Sequence, residues 1–217
     1  MSSRLKDQPV TITSGVLSLH GVLAIPPKAK GIVLFAHGSG SGRFSPRNRF
    51  VAGHLQQGGI GTLLIDLLMT EEEEDRRKVF DIDLLANRLL IASAWLRDDS
   101  RAKHFPLGYF GASTGAGAAL QAAARASFRV GAIVSRGGRP DLAESYLPQV
   151  TAPTLLLVGG DDHPVIEMNQ HAYRLLHCPK QLTIIPGATH LFEEPGTLER
   201  VAELALTWFQ QHLAYPA

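Results

Sequence analysis

The pentapeptide Gly111–Gly115, which reads Gly-Ala-Ser-Thr-Gly, is the segment of this chain whose residue types and spacing most clearly indicate chemistry. It follows an apolar run over 105–110 and precedes an alanine-rich stretch over 116–124 that favours a helix. A strand, Gly-x-Ser-x-Gly and a helix in that order predict a nucleophile elbow, a sharp turn that exposes the hydroxyl of Ser113. The same pattern also occurs by chance in ordinary Gly-rich turns, so the rest of the chain has to decide between the two interpretations.

Two further polar residues follow apolar runs in the way that Ser113 does. Asp162 comes after the run 153–158, and His190 comes after the run 181–185. Functional side chains of an open parallel sheet gather at the carboxyl ends of its strands, and Ser, Asp, His is the chain order of an α/β-hydrolase triad. The sequence therefore predicts that Ser113 is a nucleophile, that His190 is its general base and acid, and that Asp162 orients the imidazole.

The sequence offers two candidates for the acid of the triad and two for one of the oxyanion donors. Asp161 also follows the strand, but the spacing Gly-x-x-Asp-x-x-Val favours Asp162. The oxyanion of a tetrahedral intermediate needs preorganised N–H donors, and the backbone amide of Thr114, which follows the nucleophile, would be one of them. The other is expected in the Gly-rich loop after the first long apolar run, at Ser39 or at Gly40, where glycine lets the backbone approach the substrate.

Other charged residues near the strand ends have two interpretations each. Arg136 and Arg139 follow the apolar run 130–134 and could bind an acidic group of the substrate, because a guanidinium suits carboxylate and phosphate. A structural salt bridge or a solvated loop is the alternative for both. His37 is interpreted as a structural residue that fixes its loop by hydrogen bonds. The charged segment Glu71–Lys78 is expected to be a solvated loop or the start of a helix.

The elements that would position these residues follow from the hydrophobic pattern. Partial alternation over 10–12 and 16–25, around a turn at Ser14-Gly15, predicts an antiparallel hairpin or meander. Continuous apolar runs then alternate with helical patterns, which predicts one α/β domain over residues 1–217 with a mostly parallel sheet and helices on both faces. The runs cover 31–36, 61–68, 106–110, 130–134, 153–158 and 181–185, and the helical patterns cover 48–57, 82–96, 116–126, 166–176 and 198–213.

Composition restricts the class of protein and its partners. The chain has 217 residues, a formal net charge of +1 and 45% hydrophobic residues, a globular profile that argues against a nucleic-acid binder. Its single cysteine, Cys178, cannot form an internal disulfide and fits a reducing compartment. The segment Met1–Val10 lacks the apolar region of a secretory signal, and no apolar run is long enough to span a bilayer. We expect a cytoplasmic monomer or homodimer that acts on a small-molecule ester, away from membranes and nucleic acid.

In these motifs the chain resembles the α/β-hydrolases, and more narrowly the dienelactone-hydrolase-related group. The resemblance covers most of the chain and is carried by four segments, 37–41, 111–115, 159–165 and 186–192. It implies a mostly parallel eight-stranded sheet, hydrolysis through an acyl-enzyme, and no cofactor or bound metal. Dienelactone hydrolases proper carry cysteine at the elbow, whereas this chain has Ser113, so the expected activity is that of a serine carboxylesterase rather than a dienelactone lactonase.

The size of the loops favours small substrates. The connection 138–152 is the only place for a lid after the strand predicted at 130–134, and it has room for one short helix, Asp141–Tyr146. We therefore predict an open, nearly capless site for small esters, thioesters or lactones. Two other functions stay open: an acyltransferase, in which an alcohol or amine attacks the acyl-enzyme, and a non-catalytic receptor that uses the same pocket. A dinucleotide fingerprint is not matched, because Arg43 stands where its third glycine belongs.

Overall fold

The computed structural model describes residues 7–213 of the chain. Of the segment Met1–Val10, for which the sequence predicts no secretory signal, residues 1–6 lie outside this range. Between residues 7 and 213, no helix is both long enough and apolar enough to cross a membrane.

One eight-stranded sheet forms the centre of the structure. Its strands are β1 (Gln8–Ser14), β2 (Leu17–Ala24), β3 (Ile32–Ala36), β4 (Gly61–Ile65), β5 (Leu107–Ala112), β6 (Ala132–Arg136), β7 (Thr154–Gly159) and β8 (Lys180–Ile185). They lie in the order β1-β2-β4-β3-β5-β6-β7-β8. The hairpin β1–β2 and the pair β2–β4 are antiparallel, and all other neighbours are parallel. The predicted hairpin and mostly parallel sheet are confirmed.

Helices connect the parallel strands. They are α1 (Pro46–Gln57), α2 (Thr70–Glu73), α3 (Arg76–Val79), α4 (Ile82–Asp98), α5 (Thr114–Arg125), α6 (His163–Leu175) and α7 (Thr197–His212), together with a 3-10 helical segment, Pro140–Gln149. Local signals set two of the helix starts. Ser45 accepts the Asn48 N–H ahead of a proline in the first turn of α1, and Asp81 caps α4 in the same way.

The helices cover both faces of the sheet, and a hydrophobic cluster fills each interface. The cluster that includes Leu34 and Tyr109 packs against α4, α5, α6 and the 3-10 segment. The cluster that includes Phe35 and Phe110, whose rings stack with centroids 4.8 Å apart, packs against α1 and α7. Successive residues of β3 and β5 thus alternate between two buried faces, which explains why their sequences are apolar without interruption. The two clusters hold the carboxyl ends of the central strands at one edge.

Three segments differ in detail from the pattern-based expectations. The apolar run 61–68 leaves the sheet after Ile65. The Asp66 N–H still donates to the His20 carbonyl of β2, but the Leu67 N–H donates to the ring of His37. The short helix expected over 141–146 is the longer 3-10 segment, in which Ala143 has non-helical dihedral angles. The charged segment Glu71–Lys78 falls in the two short helices α2 and α3.

Candidate active site

Ser113 occupies a strained turn between β5 and α5. Its φ of 51° and ψ of −123° lie in a region that L-residues rarely adopt. A Cβ at Gly115 would collide with the Ala36 carbonyl oxygen, and a Cβ at Gly111 would lie 2.8 Å from the Ala116 amide nitrogen. Glycine is therefore required at both positions, as the elbow interpretation predicts.

The three side chains predicted to act together lie in hydrogen-bond reach of one another. His190 Nδ1 is 2.6 Å from Asp162 Oδ2, and His190 Nε2 is 3.4 Å from Ser113 Oγ. A neutral imidazole that donates its Nδ1–H to Asp162 leaves the Nε2 lone pair directed at the serine hydroxyl. The longer distance suits a resting site, since such bonds often shorten only when substrate is bound. Asp161 uses its backbone N–H to bind the Ala188 carbonyl, and its neighbour Asp162 is the carboxylate that reaches the histidine.

The two residues predicted to donate to the oxyanion are joined by one hydrogen bond. The Thr114 N–H is in the first turn of α5, where amides have no intrahelical partner. The Ser39 N–H donates to the Thr114 hydroxyl oxygen at 3.1 Å, so it is occupied by a side chain in this structure. Gly40, with a φ of 66°, follows at an exposed turn. Gly38 brings this loop close to the elbow, because a Cβ there would lie 3.0 Å from Ser113 Cβ.

His37 holds the start of the same loop against the end of β4. Its ring is buried, Nε2 accepts the Leu67 N–H at 2.9 Å, and Nδ1 donates to the Gly38 carbonyl at 2.9 Å. Burial lowers the pKa of His37 below its usual value, which favours the neutral ring that both hydrogen bonds need. These contacts agree with the structural role predicted for this histidine.

Asp66 is a residue of the loop framework that sequence reasoning missed. Its carboxylate accepts the Arg43 backbone N–H at 2.7 Å and also pairs with the Arg43 guanidinium, so it fixes the far end of the Gly-rich loop. The signal was present, because Asp66 is the one charged residue inside the apolar run 61–68 and directly follows the observed strand.

A cavity of about 670 Å³ adjoins the candidate oxyanion hole. Its lining includes Ser39 and Thr114 but neither Ser113 nor His190, so it lies beside the nucleophile rather than around it. One wall comes from the segment after β4, through Thr70, Glu73 and Val79 among others. Part of the charged segment thus shapes the site, whereas the lid position considered in the sequence, after β6, lines none of this cavity.

The two arginines that follow β6 have different surroundings. Arg139 pairs with Asp141 through two nitrogens, Nε at 2.9 Å and Nη2 at 2.7 Å, which is the structural salt bridge named as the alternative. Arg136 is 8% exposed, and its Nε and Nη1 have no hydrogen-bond partner among residues 7–213. Burial, together with the charge of Arg47, lowers its pKa to about 10.

The order of the strands and the elbow after β5 define an α/β-hydrolase. The grouping of Ser113, Asp162 and His190 at one edge of the sheet agrees with this class. The family model of the dienelactone hydrolases matches residues 19–213, and the chain belongs to this family. The resemblance inferred from the four sequence segments is confirmed.

Solved structures agree with this assignment. A dienelactone hydrolase from Anabaena variabilis is 57% identical, with a TM-score of 0.94 over 97% of this chain and 100% of that one. Est1E from Butyrivibrio proteoclasticus shares the fold at 16% identity, with a TM-score of 0.80 over 94% of this chain and 98% of that one.

Curated relatives are longer than this chain. Proteins from two strains of Mycobacterium tuberculosis are 56% identical over 212 residues, and their name assigns them provisionally to the phosphoribosyl transferases. The match covers 98% of this chain but 48% of each relative, so the chain spans about half the length of the curated relatives it matches.

Proposed function

We propose that this α/β-hydrolase-type enzyme is a serine hydrolase that cleaves small carboxylic esters, thioesters or lactones through an acyl-enzyme on Ser113. The observation that carries the proposal is the hydrogen-bonded series from Asp162 to His190 to Ser113, at 2.6 and 3.4 Å. A serine hydroxyl is a weak nucleophile near neutral pH and needs such a base.

In the first half-reaction, Ser113 Oγ attacks the carbonyl carbon while its proton passes to His190 Nε2. The tetrahedral oxyanion accepts hydrogen bonds from the Thr114 and Ser39 amides, for which the Ser39 N–H turns away from the Thr114 hydroxyl. The bond from carbon to the leaving oxygen or sulfur then breaks, and His190 returns the proton to the leaving group. Asp162 stays ionised throughout and stabilises the imidazolium.

In the second half-reaction, water attacks the acyl carbon and gives its proton to His190 Nε2. The bond between the carbon and Ser113 Oγ breaks, and the serine recovers its proton from the imidazolium, which leaves the free acid as product. An alcohol or amine in place of water would give acyl transfer by the same steps. Product analysis with methanol present in the assay separates the two reactions.

A fluorophosphonate probe tests the nucleophile directly. Attack by Ser113 Oγ on phosphorus forms an O–P bond and releases fluoride, so intact-mass spectrometry should show one added phosphonyl group that maps to Ser113. Ser113→Ala should lose both the label and the turnover of p-nitrophenyl acetate. Ser145→Ala, which alters an exposed serine of the 3-10 segment, should keep both. Folded wild-type protein that takes up no label would reject the proposal.

We infer that the phosphoribosyl transferase name of the Mycobacterium tuberculosis relatives refers to the part of those proteins outside the match. The support is that the match takes in 48% of their length, while the family model of a hydrolase spans 19–213 of this chain. The purified chain should therefore hydrolyse esters and transfer no phosphoribosyl group. Phosphoribosyl transfer that survives Ser113→Ala would contradict this inference.

A further inference from the structure

Phe192, two residues after the candidate base His190, has a backbone conformation that phenylalanine rarely adopts. Its φ is 55°, in the left-handed region, where a bulky side chain is an outlier. Its ring is 1% exposed and belongs to the hydrophobic cluster under α1 and α7. Strain of this kind persists only where the surrounding contacts fix the backbone, and it is concentrated at functional sites. The turn that carries His190 is therefore held in its conformation by its neighbours.

The Phe192 ring packs on the same glycine as the His190 imidazole. A Cβ built on Gly137 would lie 3.3 Å from Phe192 Cε2 and 3.6 Å from His190 Cε1. The same Cβ would lie 3.2 Å from the His190 carbonyl oxygen. The strained turn thus presses both the backbone and the ring of His190 against the segment that follows β6.

Glu194 closes this turn. Its carboxylate accepts the Thr189 N–H at 3.0 Å through Oε2 and the Thr189 hydroxyl at 2.6 Å through Oε1. Its backbone carbonyl accepts the Thr197 N–H at 3.1 Å and the Thr197 hydroxyl at 2.7 Å. Inside the turn, the Phe192 N–H donates to the Thr189 carbonyl at 3.3 Å. Glu194 therefore ties the residue before His190 to the first residue of α7.

The two bonds from Thr189 are made to an ionised acceptor. The Thr189 hydroxyl, followed by the Thr189 N–H, lowers the pKa of Glu194 below its usual value. Hydrogen bonds to a charged oxygen are stronger than those between neutral groups. Closing the short segment 189–194 also costs less chain entropy than closing a long loop. The contact is thus suited to hold the turn although it lies near the surface.

We propose that Glu194 is a positioning residue that holds His190 against Asp162. This inference rests on the proposed hydrolase function and adds a residue to it. The His190 side chain is 37% exposed, so burial by itself does not fix the imidazole. Its Nε2 lies 3.4 Å from Ser113 Oγ, where a further displacement breaks the hydrogen bond. A misplacement of about 1 Å in an active site can lower the rate about a hundredfold. Glu194 thus acts on proton transfer and not on substrate binding.

Kinetics with p-nitrophenyl acetate test this role. Glu194→Ala should lower kcat by about tenfold to hundredfold and leave KM near the wild-type value, because the base is displaced while the cavity is unchanged. Glu194→Gln keeps one oxygen acceptor for Thr189 and should recover part of the loss. Glu193→Ala is the matched control, because this adjacent carboxylate pairs with Arg47 instead, and it should stay near the wild-type rate. A loss confined to KM, or an equal loss in Glu193→Ala, overturns the positioning role.

A double-mutant cycle separates positioning of His190 from a general loosening of the site. If Glu194 acts through His190, Glu194→Ala should add little to the loss already present in His190→Ala. A full additional loss in that background overturns the proposal. If Glu194→Ala does not fold, Thr189→Val takes its place, because it removes only the 2.6 Å bond. Thr189→Val should then lower kcat without raising KM, and an unchanged kcat overturns the proposal.

Proton NMR gives a readout that needs no turnover. The Nδ1–H of an imidazole bonded to a carboxylate resonates downfield of the amide protons, and His190→Ala identifies this resonance by its loss. The resonance should be sharp in the wild type and in Glu193→Ala, and broadened by exchange with water in Glu194→Ala. Wild-type protein that cleaves no ester and takes up no fluorophosphonate label refutes the hydrolase proposal, whereas this resonance still measures how His190 is held. A resonance that is absent from the wild type, or equally sharp in Glu194→Ala, overturns the role of Glu194.

Discussion

At the scale of single residues, the adjacent aspartates Asp161 and Asp162 have the same chemistry but make different contacts, because they occupy different positions in one turn. Asp162 Oδ2 lies 2.6 Å from His190 Nδ1, whereas the backbone of Asp161 binds the Ala188 carbonyl. The Asp162 side chain is 13% exposed, so its bond to the histidine meets little competition from water. Position in the turn, rather than charge, selects the residue that can hold the imidazole.

The proposed role of Asp162 predicts a large and specific loss of activity. Asp162→Asn cannot hold the correct tautomer of His190, so kcat/KM for p-nitrophenyl acetate should fall by about three to four orders of magnitude. Asp161→Asn is the matched control and should stay near the wild-type rate. Circular dichroism should show both variants folded. Equal losses in the two variants would mean that the acid has been assigned to the wrong carboxylate.

The resting state of the oxyanion donors is another residue-scale feature. The Thr114 side chain accepts the Ser39 N–H at 3.1 Å, which gives this amide a partner within the protein. In the proposed mechanism the same residue offers its own backbone N–H to the oxyanion. Under that proposal, Thr114 both holds the Ser39 N–H and competes with the oxyanion for it, which a residue without a side-chain hydroxyl would not do.

At the scale of elements, the glycines of the elbow are required by close backbone contacts. A Cβ at Gly115 would collide with the Ala36 carbonyl and lie 2.5 Å from the His37 carbonyl oxygen, where the ends of β3 and α5 meet. Backbone atoms of two packed elements cannot move apart without disturbing the sheet. The glycine is thus a packing requirement as much as a conformational one.

Two glycine-to-alanine variants should therefore have opposite effects. Gly115→Ala should lower the free energy of unfolding by about 3 kcal/mol or more, or prevent folding, through overpacking. Gly53→Ala in α1 meets no atom within 4 Å of the added Cβ and should raise it by about 0.5–1 kcal/mol through helix propensity. Urea unfolding measures both changes. A tolerated Gly115→Ala would show that β3 and α5 are not packed as described.

Helix α2, which contributes to the cavity wall, is tied to α4 by a buried carboxylate. Glu72 accepts the Met69 N–H at 3.0 Å, Arg88 Nη2 at 3.0 Å and Lys78 Nζ at 3.4 Å. Burial by itself would raise the pKa of Glu72, but these donors and positive charges outweigh it and hold the pKa below its usual value. A charged residue that the sequence assigns to a solvated segment is thus a structural anchor.

The lowered pKa gives this anchor a defined pH dependence. The unfolded chain binds the proton more readily than the folded one, so the contribution of Glu72 is complete above the unfolded pKa of about 4.3 and is lost as the pH falls through the lower folded pKa. Glu72→Gln should be less stable than the wild type by about 1–3 kcal/mol at pH 7, and the difference should shrink below about pH 4. Glu71→Gln, at an exposed position of the same helix, should differ little at either pH. Urea titrations at the two pH values measure the stability of each variant. A destabilisation of Glu72→Gln that persists in acid would contradict the role assigned to Glu72.

At the scale of the whole molecule, the two hydrophobic clusters share one sheet and should unfold together. The chain has two tryptophans, and they report on opposite faces. Trp95 packs against the cluster under α4 and α5, and Trp208 belongs to the cluster under α1 and α7. A single domain over residues 1–217, as the sequence predicts, implies one cooperative transition for both.

Single-tryptophan variants test this cooperativity. Trp95→Phe leaves Trp208 as the reporter, and Trp208→Phe leaves Trp95. In each variant, tryptophan fluorescence and far-ultraviolet circular dichroism should give coincident urea midpoints. A fluorescence transition that precedes the loss of secondary structure in either variant would show that one face opens on its own and would argue against a single folding unit.

The mostly parallel sheet and the chain order of the candidate catalytic residues could be predicted from the sequence. Periodicity separates the runs buried on both faces from the amphipathic helices, and the sterics of a sharp turn require Gly111 and Gly115 around Ser113. These are properties of neighbouring residues, so they can be read without knowing which strands pair. The end of β4 at Ile65 was missed because the contacts beyond it involve distant segments: the His37 ring accepts the Leu67 N–H, and the Asp66 carboxylate accepts the Arg43 N–H.

The surroundings of the candidate site could not be predicted in this way, because they depend on contacts between distant segments. The Ser39 amide meets the Thr114 hydroxyl across 75 positions of sequence, and His37 meets Leu67 across 30, because the sheet places β3 between β4 and β5. Arg139 pairs with a carboxylate two residues away, whereas the surroundings of Arg136, which is buried against Phe192, come from a distant segment and could not be predicted from the pattern. Burial and pairing depend on which segments the fold brings together, and local spacing carries no record of those distances.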